Sequence, residues 1–125
     1  MLLDTNIVVY WGKPGGEWLE PWAEHPKAAL ASVSQVEALG LPGIGPEEEA
    51  AIRQLIAVSV CYPLDDAVIE GAIRLRRIKR MGIADAIIAA TALEYDLPLV
   101  TRNVHDFQHI PGLTIINPFA NRGAV

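Results

Sequence analysis

Residues 82–107 read GIADAIIAATALEYDLPLVTRNVHDF, and this stretch constrains every other part of the chain. Residues 83–95 are apolar or small on nearly every side, through Ile83, Ala84, Ala86, Ile87, Ile88, Ala89, Ala90, Ala92 and Leu93. That pattern predicts a helix enclosed by other elements, with Asp85 as a carboxylate in its first turn. After Tyr95 and Asp96, residues 97–101 form a short apolar run that suits a buried parallel strand. The run opens into a polar loop of Arg102, Asn103, Val104, His105 and Asp106. Asp85 has two accounts at this point: a partner for the helix dipole, or one member of a site built where helix starts and strand ends meet.

Upstream, Met1, Leu2 and Leu3 predict a very short strand that stops at Asp4, followed by Thr5 and Asn6. Residues 7–11 resume an apolar, helix-like pattern, and the GKPGG run at 12–16 breaks it. A helical turn over 17–24 would put Trp18 and Trp22 on one face, either as a satellite core cluster with Trp11 nearby or as a partner-facing patch. Residues 28–33 predict a second strand. The Ser34-Gln35-Val36-Glu37 spacing then reads as a capping box that starts a short helix. Pro46 opens a helix with Glu47, Glu48 and Glu49 in its first turn, running to about 57, and residues 58–62 predict a third strand. Asp65 and Asp66 read as cap and dipole partner of a long solvated helix reaching Arg80. Its end carries Arg74, Arg76, Arg77, Lys79 and Arg80, more positive charge than a helix dipole requires, and so a candidate phosphate-contacting patch. Beyond the opening stretch, a turn without helix leads to a last strand over 113–116, and residues 120–125 read as a loose tail.

The alternation of strands and helices argues for a mainly parallel sheet with helices on both faces, in one domain over residues 1–125. With 51% hydrophobic and 20% charged residues the chain has the balance of a compact globular protein, and no apolar run is long enough to span a bilayer. Cys61 is the one cysteine, so no internal disulfide forms; with an acidic N-terminus and no basic leader, the expected location is the cytoplasm. Cys61 itself reads as a buried structural thiol. A net charge of −5 argues against nucleic-acid binding by bulk electrostatics alone, but not against binding through a cation held by acids.

Asp4, Glu37, Asp85, Asn103 and Asp106 all fall at carboxyl ends of strands or at adjoining helix starts, the edge where open α/β sheets bind ligands. Clustered carboxylates repel in a half-buried pocket unless a cation compensates them. Oxygen donors without clustered Cys or His select a hard ion, Mg²⁺ or Mn²⁺, which serves phosphoryl chemistry. Neither His105 nor His109 is given a catalytic role.

The segments LLDTN, SQVEALG, ADAIIAATA, LVTRNVHDF and IPGLTIINPF together resemble the PIN-domain ribonucleases, in particular the VapC-type toxins of toxin–antitoxin pairs. The resemblance covers essentially the whole chain. It implies a three-layer α/β/α fold around a five-stranded, mainly parallel sheet and a Mg²⁺- or Mn²⁺-dependent endoribonuclease acting on RNA. It further implies a homodimer held inactive by a small cognate antitoxin. By position, Asp4, Glu37 and Asp85 are similar to the family's metal-site acids, with Thr5 and Asn6 supporting Asp4 and Thr101 lining the pocket. Asn103 stands where the family places Asp, so Asp106 would carry more of the load. Two other classes compete. A haloacid-dehalogenase-like phosphohydrolase also places an Asp after its first strand but needs an Asp where this chain has Asn6. A non-catalytic module would keep the acid cluster for Lys or Arg of another protein.

Overall fold

The computed structural model describes residues 1–120 of the chain, so the tail expected at 120–125 lies outside the described residues except for Ala120. Five short strands, β1 (Leu2–Leu3), β2 (Ala29–Ala31), β3 (Val60–Tyr62), β4 (Leu99–Val100) and β5 (Ile115–Ile116), form one sheet in the order β3-β2-β1-β4-β5. Every neighbouring pair is parallel, so the mainly parallel expectation becomes an all-parallel sheet.

Side-chain alternation along these strands produces the layers. Leu2, Ala29, Ala31 and Leu99 face one core with Val68, Ala72, Leu75, Ile88 and Phe107. Leu3, Leu30 and Val100 face the other, with Ile7, Val8, Leu19, Ile52 and Leu55. The first core is covered by the packed pair α5 (Asp66–Ile78) and α6 (Ile83–Glu94); the second by α1 (Thr5–Gly12) and α4 (Pro46–Val58). Both faces of the central strands are thereby buried, which is why their sequences are continuously apolar rather than alternating.

Helix α6 is the enclosed element its composition predicts, with Ala86, Ile88, Ala89, Ala90, Thr91 and Ala92 buried. It ends where Asp96 adopts φ 53°, a left-handed turn tolerated by Asp, and the Leu97 amide returns to the Ala92 carbonyl at 2.8 Å. At the start of α5 the expected cap is present: Asp65 accepts from the Val68 amide at 2.9 Å, and Asp66 sits in the first turn. The Tyr95 hydroxyl donates to the same Asp65, which ties the end of α6 to the start of α5 and holds the Asp65 carboxyl below its ordinary range.

Three expectations are corrected. The capping box at Ser34 does not form, because α3 (Ser32–Leu39) begins earlier, at the end of β2, with Ala31 as its cap. Ser34 is therefore interior to the helix and buried. The segment after β4 is not a helix-free loop: Val104–Phe107 forms a helical turn, α7, because fully buried Phe107 anchors it to the core. Cys61 is half-buried rather than buried, with its Sγ near the Ile56 carbonyl, and burial pushes its thiol up, toward the protonated form. The tryptophans form a satellite cluster on the second core. After a 3₁₀ turn (Glu17–Leu19) and α2 (Glu20–Ala23), Trp18 meets Trp22 edge-on at 6.2 Å and Phe119 at 4.8 Å.

One glycine is demanded by packing. A Cβ at Gly16 would fall well inside van der Waals contact of the Tyr10 carbonyl oxygen, a backbone atom that cannot rotate away. Gly16→Ala is therefore expected to destabilise the chain by about 1–3 kcal/mol, as other overpacking changes do. Urea unfolding would read this as a lower midpoint at unchanged slope; an unchanged midpoint would show that the turn can shift at no cost.

Candidate active site

β1 and β4 are adjacent although β2 and β3 lie on one side of β1 and β5 on the far side of β4, so the chain reverses its direction of travel between them. Such a switch point leaves a crevice at the carboxyl ends of the two strands. The register pairs Leu3 with Val100, which puts the next residues, Asp4 and Thr101, side by side at that edge.

Asp4 is 4% exposed, and among the described residues it forms no ion pair. Three donors hold it. The Thr5 amide reaches Oδ1 at 2.8 Å, making Asp4 the N-cap of α1, while the Thr101 hydroxyl at 2.7 Å and the Asn6 amide at 3.3 Å reach Oδ2. Thr101, itself fully buried, is held in turn by the Asn103 backbone amide at 3.0 Å and the Asn6 side chain at 3.2 Å. Burial pushes the Asp4 carboxyl up to about 6; the Thr101 and Thr5 hydrogen bonds oppose this, and the charges of Asp85 and Glu37 add to it.

Glu37 reaches the same place from α3. Thr5 Oγ1 lies 2.6 Å from Glu37 Oε1 and 2.9 Å from Ser34 Oγ. A hydroxyl has one proton, and the carboxylate is the stronger acceptor, so Thr5 donates to Glu37 and takes the Ser34 proton in return. The pair that looked like a cap is a relay linking α3 to α1. Asp85 stands half-buried in the first turn of α6, its carboxyl raised by burial and then by the charges of Asp106 and Glu37.

Asp4, Thr5, Asn6, Glu37, Asp85 and Asn103 line one cavity of about 290 Å³, together with Val9 and Tyr10. Asp106, exposed on α7, lies outside that lining and acts on Asp85 through its charge. His105 and His109 are also absent from the lining. The basic residues of α5 are exposed at its end, where Arg76 Nε donates to the Met81 carbonyl at 3.1 Å just before α6 begins. Val9 and Tyr10 were not singled out from the sequence. Tyr10 follows Asn6 by one helical turn on the same face of α1, the signal that could have found it.

The donor set suits a hard divalent cation: oxygen ligands only, and carboxylates whose charge is raised in cost by burial and by one another. The cage is not closed, since among the described residues no three Asp, Glu, His or Cys side chains converge on a single point as metal ligands. Glu37 is turned toward Thr5 instead. Glu37 is exposed and can leave one hydroxyl, whereas Asp4 is buried and stays in its pocket.

A family model described as PIN domain matches residues 1–113. A curated relative, ribonuclease VapC of Rickettsia bellii (strain RML369-C), is 44% identical over 36 residues, which are 29% of this chain and 27% of the relative's length. A solved toxin–antitoxin complex from Klebsiella pneumoniae is similar with a TM-score of 0.74 and 30% identity, over 94% of this chain and 96% of that one. VapBC2 from Rickettsia felis bound to a promoter DNA fragment superimposes with a TM-score of 0.76 at 23% identity, over 93% and 96% of the two chains.

The site stores instability with a definite sign. The folded carboxyl of Asp4 at about 6 lies above the unfolded value of about 3.9, so its contribution to stability is fully present below the unfolded value and lost as pH rises through the folded one. Asp85 is raised too and has the same sign. In a chelator, Asp85→Asn is expected to melt above the parent near neutral pH, and the gap should close as pH falls toward the ordinary carboxylate range. A gap independent of pH would show that the Asp85 charge is not its source.

Proposed function

The chain belongs to the PIN domain family, and on that premise we propose that it is a Mg²⁺- or Mn²⁺-dependent endoribonuclease, the toxin of a toxin–antitoxin pair. The observation that carries this reading is Asp4, a buried carboxyl pushed up to about 6 at the switch point, sharing its cavity with Asp85 and Glu37. An isolated buried acid is costly, and a divalent ion is the partner that removes the cost. When bound, such an ion supplies Lewis acidity, polarising the phosphate and making water a better nucleophile at neutral pH.

The residues divide the work. Asp4, Asp85 and Glu37 would hold the ion, and Asn103 would offer a neutral oxygen in the same cavity. Asp106 would add negative charge near Asp85 without entering that cavity. Thr5, Asn6 and Thr101 orient Asp4 through the hydrogen bonds described above, and Ser34 steadies Thr5. Arg74, Arg76, Arg77 and Arg80 would draw the RNA backbone toward an otherwise acidic surface. A phosphohydrolase of the haloacid-dehalogenase kind is disfavoured: Asn6 occupies the position of its second Asp and is spent as a donor to Asp4 and Thr101.

A small antitoxin would restrain the enzyme, with an Arg or Lys entering the acid cavity. A second copy would cover the apolar groove of α5 and α6, where Leu64, Ile69, Ile73 and Ile83 are exposed, Ile83 to 61%.

Titrating Mg²⁺ or Mn²⁺ should raise the melting temperature, and Asp85→Asn should largely abolish the rise. An equal rise in both would put the ion elsewhere. Cleavage of single-stranded RNA should require the ion and fall by about 10²–10³ in Asp4→Asn, the scale on which lost electrostatic catalysis is felt. Wild-type cleavage by Asp4→Asn in a nuclease-free preparation would overturn the catalytic assignment. Expression of the chain alone should arrest growth, and Asp85→Asn should not; harmless expression of active wild-type enzyme would exclude the toxin role and leave the nuclease.

A further inference from the structure

Beside the acid cavity stands a cation assembled without an acid. The guanidinium of Arg102 lies 5.2 Å from the ring centre of Tyr10 and 4.8 Å from that of Phe119, and its Nη1 donates to the Tyr10 hydroxyl. The two rings meet each other edge-on at 5.0 Å, and Trp18 backs Phe119 at 4.8 Å, so the platform rests on the aromatic cluster of the second core. Among the described residues the one ion pair is Arg53 with Glu49, far along α4, and Arg102 pairs with no carboxylate.

This platform adjoins the site by direct bonds. The Arg102 amide reaches Asn6 Oδ1 at 3.4 Å, Thr101 before it donates to Asp4, and Asn6 and Tyr10 both line the cavity. A chain of net charge −5 with a carboxylate pocket repels a polyanion at the place where it must be held. An arginine packed against two aromatic rings, with Nη1 given to the Tyr10 hydroxyl, can offer its other edge N–H groups to a phosphate and has part of its rotamer freedom removed in advance.

We propose that Arg102, braced by Tyr10 and Phe119, binds a backbone phosphate of single-stranded RNA next to the acid cavity and sets the register of the strand across it. The inference rests on the nuclease reading above and adds a substrate contact to it. Arg102 grips ground state and transition state alike, so its loss appears in KM rather than kcat.

The test measures binding of a fluorescent single-stranded RNA to the full chain in an Asp85→Asn background, over a series of salt concentrations. Arg102→Gln should weaken binding about 10-fold and lower the slope of log K against log salt by about 0.7, the value of one phosphate contact on a single strand. Arg102→Lys should restore the slope but not the full affinity, because a point charge neither forks nor stacks. Tyr10→Phe should cost a smaller, few-fold loss at unchanged slope, and melting temperatures should stay level across the set. In the active background KM should rise with kcat retained. Equal affinity and slope in the parent and Arg102→Gln would overturn the assignment and leave the platform as a contact for a protein partner. A wild-type chain that neither binds nor cleaves RNA would remove the nuclease reading and this inference with it.

Discussion

The buried carboxyl of Asp4 is the constraint to which the rest of the structure answers. It sits at the end of a strand of only two residues, has among the described residues three hydrogen-bond donors and no ion-pair partner, and caps the helix that follows. An acid in that place raises the free energy of the fold, and the surrounding elements supply the compensation. Two apolar cores, one on each face of the sheet, hold β1 and β4 in register, so that Thr101 cannot withdraw from Asp4. The same strands that bury the acid also aim it into the cavity at the switch point.

Around that acid the other groups arrive from elements far apart in sequence. Thr5 connects α1 to α3 through Ser34 and Glu37, and Asp85 comes from the first turn of the most enclosed helix. Asn103 comes from the turn after β4, kept near the sheet by buried Phe107. Each side chain owes its position to a different packing contact, which is how short strands and brief turns yield a defined cavity. At the rim of this acidic pocket stands an arginine, Arg102, packed against the rings of Tyr10 and Phe119. Those rings belong to the tryptophan cluster, whose role is thereby tied to the site and not only to the core.

Much of this was legible in the sequence. The apolar helix at 83–95, the short buried run before Thr101 and the alternation of elements identified an α/β sheet, because burial on both faces imposes continuous apolarity that composition alone displays. Asp4 could be placed at a strand end for the same reason: a strand stops where the apolar run stops. Acids that share one edge of a parallel sheet face one crevice whatever their separation along the chain. The cap at Asp65 was equally readable, since a cap depends on residues within one turn.

What local pattern could not resolve was which partner a side chain would choose. Ser34 and Glu37 have the spacing of a capping box, and spacing carries no information about Thr5, which approaches from a helix 29 residues away. Once β2 ended at Ala31 the helix had to start at once, Ser34 turned inward, and the cap lost its place to a tertiary hydrogen bond. Phe107 converted an expected loop into a helical turn by the same means, through burial that only the assembled core provides. Arg102, Tyr10 and Phe119 are unremarkable one by one. The sequence alone determined the fold class and named Asp4, Glu37 and Asp85 as candidate acids, because periodicity and composition report burial; it did not show that Asp106 stays outside their cavity. The tertiary structure alone decided the hydrogen-bond partners and the aromatic brace, because those depend on distances between elements that no local pattern encodes.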